Sequence, residues 1–272
     1  MQNLRQTVGD IIEHFAPIVA SVDTYTYDGA DSDQFWEFLK RGIIKRQFES
    51  IEAILKMVDS GIGHFGVTLL RPAFEELVWV EYLGENSKIA NDLVLLLSNK
   101  EISRNLSAQN DFIGTEEMHR VGFTQKYVKK QLASDRRTKK SIKEIGSQLG
   151  WHDQGIPPSM AFLCKKVGRE KEYNFLYQGT SRFVHFSTAE ILRRVWGRPG
   201  RVTIGSETFS LYWQDFAMYW SFRIFGELFI QCVDILGDVE IIEEQLEETL
   251  DLIKLMHPIP IITPQELNPN YS

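Results

Sequence analysis

Residues 212–236, YWQDFAMYWSFRIFGELFIQCVDIL, form the most apolar long segment of the chain. Apolar side chains fall on nearly every side of a helix drawn through them, which indicates a helix buried in the middle of a bundle. Four charges interrupt the segment, at Asp215, Arg223, Glu227 and Asp234. Because several charges at the centre of a bilayer are costly, we interpret the segment as a core helix and expect no membrane partner.

Two earlier segments have the three-and-four spacing of helices that pack against such a core. Residues 35–59 carry apolar side chains on one face and most of their lysines and arginines on the other. Residues 66–83, GVTLLRPAFEELVWVEYL, predict a further helix, which Pro72 should kink or restart. The pattern therefore favours an all-α fold, a single helical-bundle domain over residues 1–272. Its core lies at about 4–255 and an extended, proline-containing tail at 256–272.

One small β-hairpin is predicted near residues 201–211. Arg201–Ile204 and Thr208–Leu211 flank Gly205-Ser206, a pair suited to a type II′ turn. Because a lone hairpin is marginal in water, we expect it to pack against the helices.

Charge and cysteine content narrow the class of protein. A net charge of -7 argues against a generic nucleic-acid coat protein, which needs a broad basic surface. Cys164 and Cys232 are the only cysteines and match no redox motif, so we expect two reduced thiols in a cytoplasmic protein. The first residues have acids and amphipathic spacing, so we expect no secretory signal there.

Metal and nucleotide motifs are missing from the sequence. A di-iron helical bundle needs two Glu-x-x-His pairs, and only Glu116 and His119 fit. The chain has no GxxxxGK[ST] phosphate loop, no G-x-G-x-x-G after a strand and no G-x-S-x-G elbow. We therefore expect neither a metal nor a cofactor.

A strongly basic run at residues 126–143 could bind the phosphates of RNA. Its candidate substrate contacts are Lys129, Lys130, Arg136 and Arg137. The alternative is a solvated helix face, because Tyr127 is the only aromatic residue within the run that could stack on bases.

The best catalytic candidate is His185, in the segment 176–194, LYQGTSRFVHFSTAEILRR. A free imidazole titrates near neutrality, so it can give or take a proton at cellular pH. On a helix predicted over 170–196, Tyr177, Ser181 and His185 are each four apart and share a face. Arg182 lies three residues before the histidine.

Arg71 and Glu75 are a second candidate pair, four residues apart and therefore on one face of their helix. The simplest interpretation is an ion pair that fixes helix packing, since a buried charge is costly unless it is paired. The functional interpretation is an arginine that is aimed at a phosphate and oriented by the glutamate.

Together the two segments resemble a bacterial family known only as a domain of unknown function. Its pattern is an Arg-(Pro)-x-x-Glu helix followed later by Tyr-x-x-x-Ser-x-x-x-His. In this chain the matching residues are Arg71, Pro72, Glu75, Tyr177, Ser181 and His185.

The late motif is also similar to the HEPN superfamily of helical proteins. Many of these are metal-independent ribonucleases of toxin–antitoxin and antiviral systems, and they usually work as dimers. In their pattern four to six residues lie between an arginine and the histidine, whereas only two residues lie between Arg182 and His185. Ser181 or Thr180 stands where the usual arginine would be, so Arg71 is a candidate for the missing charge.

Two hypotheses follow. In the first, the chain is a HEPN-like endoribonuclease or effector of a bacterial defence system, a homodimer with RNA as its partner. His185 is then the general acid and base, Arg71 or Arg182 stabilises the phosphorane, and Glu75 orients Arg71. Tyr177 and Ser181 hold the substrate or the imidazole. In the second, the chain is a non-catalytic interaction or regulatory protein, and these side chains form a buried hydrogen-bond network.

Overall fold

The structure, a computed structural model, describes residues 4–23, 34–151, 157–198, 200–205, 207–236, 247 and 259–262. These residues are mostly helical and include one two-stranded antiparallel sheet. The predicted all-α class with one small hairpin is confirmed.

The regular elements are numbered in chain order. The helices are α1 (Leu4–Ala20), α2 (Phe35–Asp59), α3 (Val67–Glu85), α4 (Ser87–Arg120), α5 (Gln125–Gln148), α6 (Met160–Lys166), α7 (Glu170–Glu172), α8 (Gln178–Val184), α9 (Thr188–Leu192) and α10 (Glu207–Gln231). The strands are β1 (Val195–Arg198) and β2 (Arg201–Ile204). Short 3₁₀ segments occupy Gly63–Gly66 and Val233–Ile235, and a π-helical turn occupies Tyr173–Tyr177.

The chain divides into two compact units. Unit 1 comprises Met1–Thr26, Lys40–Tyr82 and Cys164–Ser272, and unit 2 comprises Tyr27–Leu39 and Leu83–Leu163. The expectation of a single domain over residues 1–272 stays a prediction.

The core of unit 1 is built around α10. Phe216, Phe222, Phe225 and Phe229 are fully buried there. Phe15 of α1 packs edge-on against this helix, with its ring centroid 4.6 Å from that of Phe229. The prediction of a buried core helix is confirmed, because α10 has apolar side chains on nearly all sides and buries most of them.

The hairpin forms earlier in the chain than predicted. β1 pairs with β2, and Val195 lies opposite Ile204. Gly197, at φ 153°, allows the close approach of the strands, because an added Cβ would lie 2.2 Å from the Arg201 carbonyl oxygen. The predicted strand Thr208–Leu211 was wrong: these residues begin α10, whose helical apolar pattern outweighs their β propensity.

In unit 2, α4 and α5 pack against each other. Leu106, Met118 and Val128 form a buried cluster between them. Thr124 caps α5 by accepting a hydrogen bond from the Tyr127 amide at 3.2 Å. Many of the other residues of α5 are exposed.

Other predictions lie outside the described residues. These are most of the tail at 256–272 and the last part of the predicted core, residues 237–246 and 248–255. Within the described ranges, no helix is both long and apolar enough to cross a membrane.

Candidate active site

Helix α3 positions the first two side chains of the site. Arg71 and Glu75 are one helical turn apart, and the Arg71 Nε donates to Glu75 Oε1 at 3.1 Å. Both side chains are partly exposed, at 22% and 35%. The ion pair predicted from their spacing is therefore present, but it lies at a partly exposed position and not deep in the core.

Tyr177 reaches Arg71 from the π-helical turn. The Arg71 Nη2 donates to the Tyr177 hydroxyl at 2.5 Å, and the guanidinium carbon lies 4.3 Å from the centroid of the phenol ring. On the same turn the ring of Tyr173 stacks on Tyr177, with 4.7 Å between centroids. Wider turns of this kind occur often at functional sites.

His185 closes the cluster from just beyond the end of α8. Its backbone is extended, with φ −117° and ψ 161°, although its amide still donates to the Ser181 carbonyl at 3.0 Å. The imidazole Nε2 lies 2.6 Å from Arg71 Nη1, and the residue is exposed to solvent. A guanidinium can only donate, so Nε2 accepts and the ring is neutral in this pairing, with its proton on Nδ1.

The electrostatics of the cluster keep the phenol protonated. Burial raises the pKa of Tyr177, the charge of Glu75 raises it further, and the charge of Arg71 only partly offsets these effects. The site therefore combines a guanidinium, an imidazole and a phenol that retains its proton at neutral pH.

The available chemistry is proton transfer and stabilisation of an anion. Burial raises the pKa of the Cys164 and Cys232 thiols to about 12, so neither is a ready nucleophile. Among the described residues, no group of three His, Cys, Asp or Glu side chains is arranged to hold a metal ion. An imidazole beside a guanidinium suits acid–base chemistry on a phosphate ester.

Arg182 lies in a different set of contacts. Its Nη2 donates to the Ile261 carbonyl at 3.0 Å, and its Nε lies 3.8 Å from a Glu190 carboxylate oxygen. Its guanidinium also lies 5.0 Å from the centroid of a Trp213 ring. These contacts hold Arg182 beside Trp213, whereas Arg71 is the arginine in contact with His185.

Ser181 belongs to the helix more than to the site. Its hydroxyl donates to the Tyr177 carbonyl at 2.6 Å, a bond within one turn of backbone. The prediction that Tyr177, Ser181 and His185 share one helix face was wrong for His185, because the helix ends at Val184. The predicted helix over 170–196 is divided into α7, the π-helical turn, α8 and α9, followed by β1.

The four predicted phosphate contacts of the basic run lie on α5 of unit 2. Lys129, Lys130, Arg136 and Arg137 are all exposed there. The catalytic candidates Arg71, Glu75, Tyr177 and His185 all belong to unit 1.

Sequence reasoning missed Tyr173 and Arg169. Tyr173 precedes Tyr177 by four residues, a spacing that predicts contact along a helix. Arg169 donates to Glu81 at 2.5 Å and to Glu227 at 2.6 Å. The available signal was the presence of these two glutamates in apolar segments, since each needed a positive partner.

Residues 37–201 match a family of unknown function, DUF5677. The chain belongs to this family. The matched range contains Arg71, Glu75, Tyr177 and His185, and the predicted resemblance to a domain family of unknown function is confirmed. No curated protein and no solved structure matches the chain. Similarity to the HEPN superfamily stays a prediction.

Proposed function

We propose that the Arg71–Tyr177–His185 cluster is the catalytic centre of a metal-independent endoribonuclease. The observation that carries the proposal is the solvent-exposed His185, whose Nε2 lies 2.6 Å from the Arg71 guanidinium. The same guanidinium binds the Tyr177 hydroxyl, so the cation joins two groups that can handle protons.

The reaction is attack of a ribose 2′-hydroxyl on the adjacent phosphate. His185 Nε2 takes the 2′-hydroxyl proton as the new P–O2′ bond forms. The P–O5′ bond breaks, and the leaving 5′-oxygen takes the proton of Tyr177. The imidazolium then returns a proton to the phenolate. The products are a 2′,3′-cyclic phosphate and a 5′-hydroxyl.

Arg71 stabilises the charge on the phosphorane oxygens. Its fork of N–H donors suits two oxygens at once, and the substrate phosphate replaces the imidazole at Nη1. Glu75 holds the opposite edge of the guanidinium through Nε and so fixes its orientation.

The alternative is a non-catalytic interaction or regulatory protein held together by a buried network. Its central residue needs to be sealed from solvent, but His185 is exposed. Ser181, a further member of that network, donates to a backbone carbonyl of its own helix. Both observations favour the enzyme.

The test is cleavage of a labelled single-stranded RNA of about 20 nucleotides in buffer with EDTA. We expect wild type to release products with 2′,3′-cyclic phosphate ends, and His185→Ala to lower the rate by about 10²–10⁴-fold. His119→Ala is the matched control, since His119 is an exposed histidine on α4 in unit 2. Its rate should equal that of wild type.

Two results contradict the proposal. Cleavage that is equal in wild type and His185→Ala identifies a contaminating nuclease, and inactivity of wild type leaves the interaction protein as the better function. In the second case, His185→Ala should lower the melting temperature, because a lost network costs about 1–3 kcal/mol.

The resemblance to HEPN proteins extends the proposal to a cytoplasmic homodimer that acts in bacterial defence. Light scattering of the purified protein measures the subunit number. Growth arrest on expression of wild type, but not of His185→Ala, supports an effector that cleaves cellular RNA.

A further inference from the structure

Helix α5 concentrates positive charge in an acidic protein. It carries eight lysines and arginines against two acids, while the whole chain has a net charge of -7. Its neighbour α4 has four lysines and arginines against five acids. The charge is therefore a property of α5 alone and not of the α4–α5 pair.

The cations lie on the solvent side of the helix. At about 100° per residue, seven of the eight fall within an arc of about 140°. These seven are Lys126, Lys129, Lys130, Arg136, Arg137, Lys140 and Lys143, and all are exposed. Val128 and Ile142 lie on the opposite side and are buried. The eighth, Lys139, projects outside the arc.

Few of these charges are neutralised by residues that the structure describes. Lys139 pairs with Asp135 at 2.5 Å and Lys140 with Glu144 at 3.8 Å. The other six have no ion pair with any residue that the structure describes. Neighbouring like charges on a helix face repel one another, and a bound polyanion removes that repulsion.

We propose that this cationic face of α5 is a docking surface for the phosphate backbone of RNA. The stretch from Lys126 to Lys143 rises about 25 Å, long enough to follow several consecutive phosphates. Phosphate contacts of this kind give affinity without sequence preference and make binding depend on salt. The choice of RNA as the bound polyanion rests on the proposed function. The charge pattern of α5 is an observation that does not depend on that function.

Binding is measured by fluorescence anisotropy with a labelled 20-nucleotide single-stranded RNA. The His185→Ala protein is the background, so that bound RNA stays intact. A stripe variant combines Lys129→Gln, Lys130→Gln, Arg136→Gln and Arg137→Gln. We expect it to weaken RNA binding at least tenfold. The slope of the log association constant against log salt is negative, and its magnitude should decrease by up to about 3, since each phosphate contact contributes about 0.7.

The charge-matched control combines Lys56→Gln, Lys88→Gln, Lys165→Gln and Lys171→Gln, all at exposed lysines outside α5. It loses the same four charges and should bind RNA within about threefold of the background, because its cations make no phosphate contact. Circular dichroism verifies that both variants keep their helices.

Three results overturn the docking surface. In the first, both variants lose RNA affinity equally. In the second, the stripe variant binds RNA as tightly as the background. In the third, the protein binds vesicles containing phosphatidylserine more tightly than RNA. The two proposals can fail independently. If wild type binds RNA through α5 but does not cut it, only the catalytic proposal is refuted.

Discussion

Two of the arginine clusters in unit 1, one around Arg169 and one around Arg71, contact α3 in different ways. Arg169 donates to Glu81, Glu172 and Glu227 at 2.5–2.6 Å and is only 16% exposed. Arg71 has one glutamate at 3.1 Å, and its remaining N–H groups face Tyr177 and the exposed His185.

The difference between the clusters lies in how completely the cation is neutralised. Burial alone would lower the pKa of Arg169, but the hydrogen bond to Glu81 and the charges of Glu227 and Glu172 raise it overall. A guanidinium surrounded by carboxylates holds helices together, and because the carboxylates neutralise its charge it attracts an anionic ligand only weakly. Arg71, whose side chain is 22% exposed, pairs with Glu75 at the longer distance of 3.1 Å, so its charge is balanced less completely. In the proposed mechanism this charge binds a phosphate in place of the imidazole.

Arg169→Ala should produce the largest change, in stability. Removing Arg169 from this partly buried network leaves Glu81 without this partner, while Arg223 still pairs with Glu172 and Glu227. The cost should therefore reach at most about 3–5 kcal/mol, the value for a fully buried pair. Urea denaturation measures the loss. Alkylation of Cys164 gives a second readout, because its thiol, with a pKa raised to about 12 by burial, should react faster once this region opens. A loss below about 1 kcal/mol would contradict a structural role for Arg169.

Arg71→Ala should have the next largest effect, on activity. Loss of the cation that stabilises the phosphorane should slow RNA cleavage by about 10²–10³-fold. The free energy of unfolding should fall by at most about 1 kcal/mol, as is usual for a partly exposed ion pair. Arg71→Lys keeps the charge without the planar fork, so its rate should lie between those of wild type and Arg71→Ala. Equal effects on stability in Arg71→Ala and Arg169→Ala would erase the contrast between the clusters.

Tyr177→Phe should slow cleavage by about 10²-fold, since it removes the hydroxyl that protonates the leaving oxygen and keeps the ring stacked on Tyr173. The raised pKa favours the neutral phenol, so wild type should keep this proton donor up to and beyond pH 10, the ordinary value for tyrosine. A wild-type rate that falls between pH 8 and 9, with no such fall in Tyr177→Phe, would show an acidic phenol and contradict this role.

Ser181→Ala should have the smallest effect. Its hydroxyl bonds only to a carbonyl of its own helix turn, so removal should change the free energy of unfolding by less than about 1 kcal/mol and leave cleavage unchanged. A slower rate of RNA cleavage in Ser181→Ala would contradict this expectation and indicate a catalytic role for Ser181.

Elements of this fold were predictable where the signal is local. Helical periodicity correctly indicated α2, α3 and the buried α10, because packing onto a core requires apolar residues at regular intervals. The second strand of the hairpin was predicted wrongly, since Thr208 and Phe209 are compatible with either structure and the apolar pattern of α10 decides between them.

The candidate site likewise contains one contact that the sequence predicts and others that it does not. The sequence by itself determined the Arg71–Glu75 pair, because residues four apart on a helix must be neighbours. Only the tertiary structure decided that Arg71, 114 residues away in the chain, contacts His185, whereas Arg182 is held beside Trp213. The physical reason is that α8 ends at Val184 and turns the histidine out of the helix, and helical periodicity does not reveal where a helix ends.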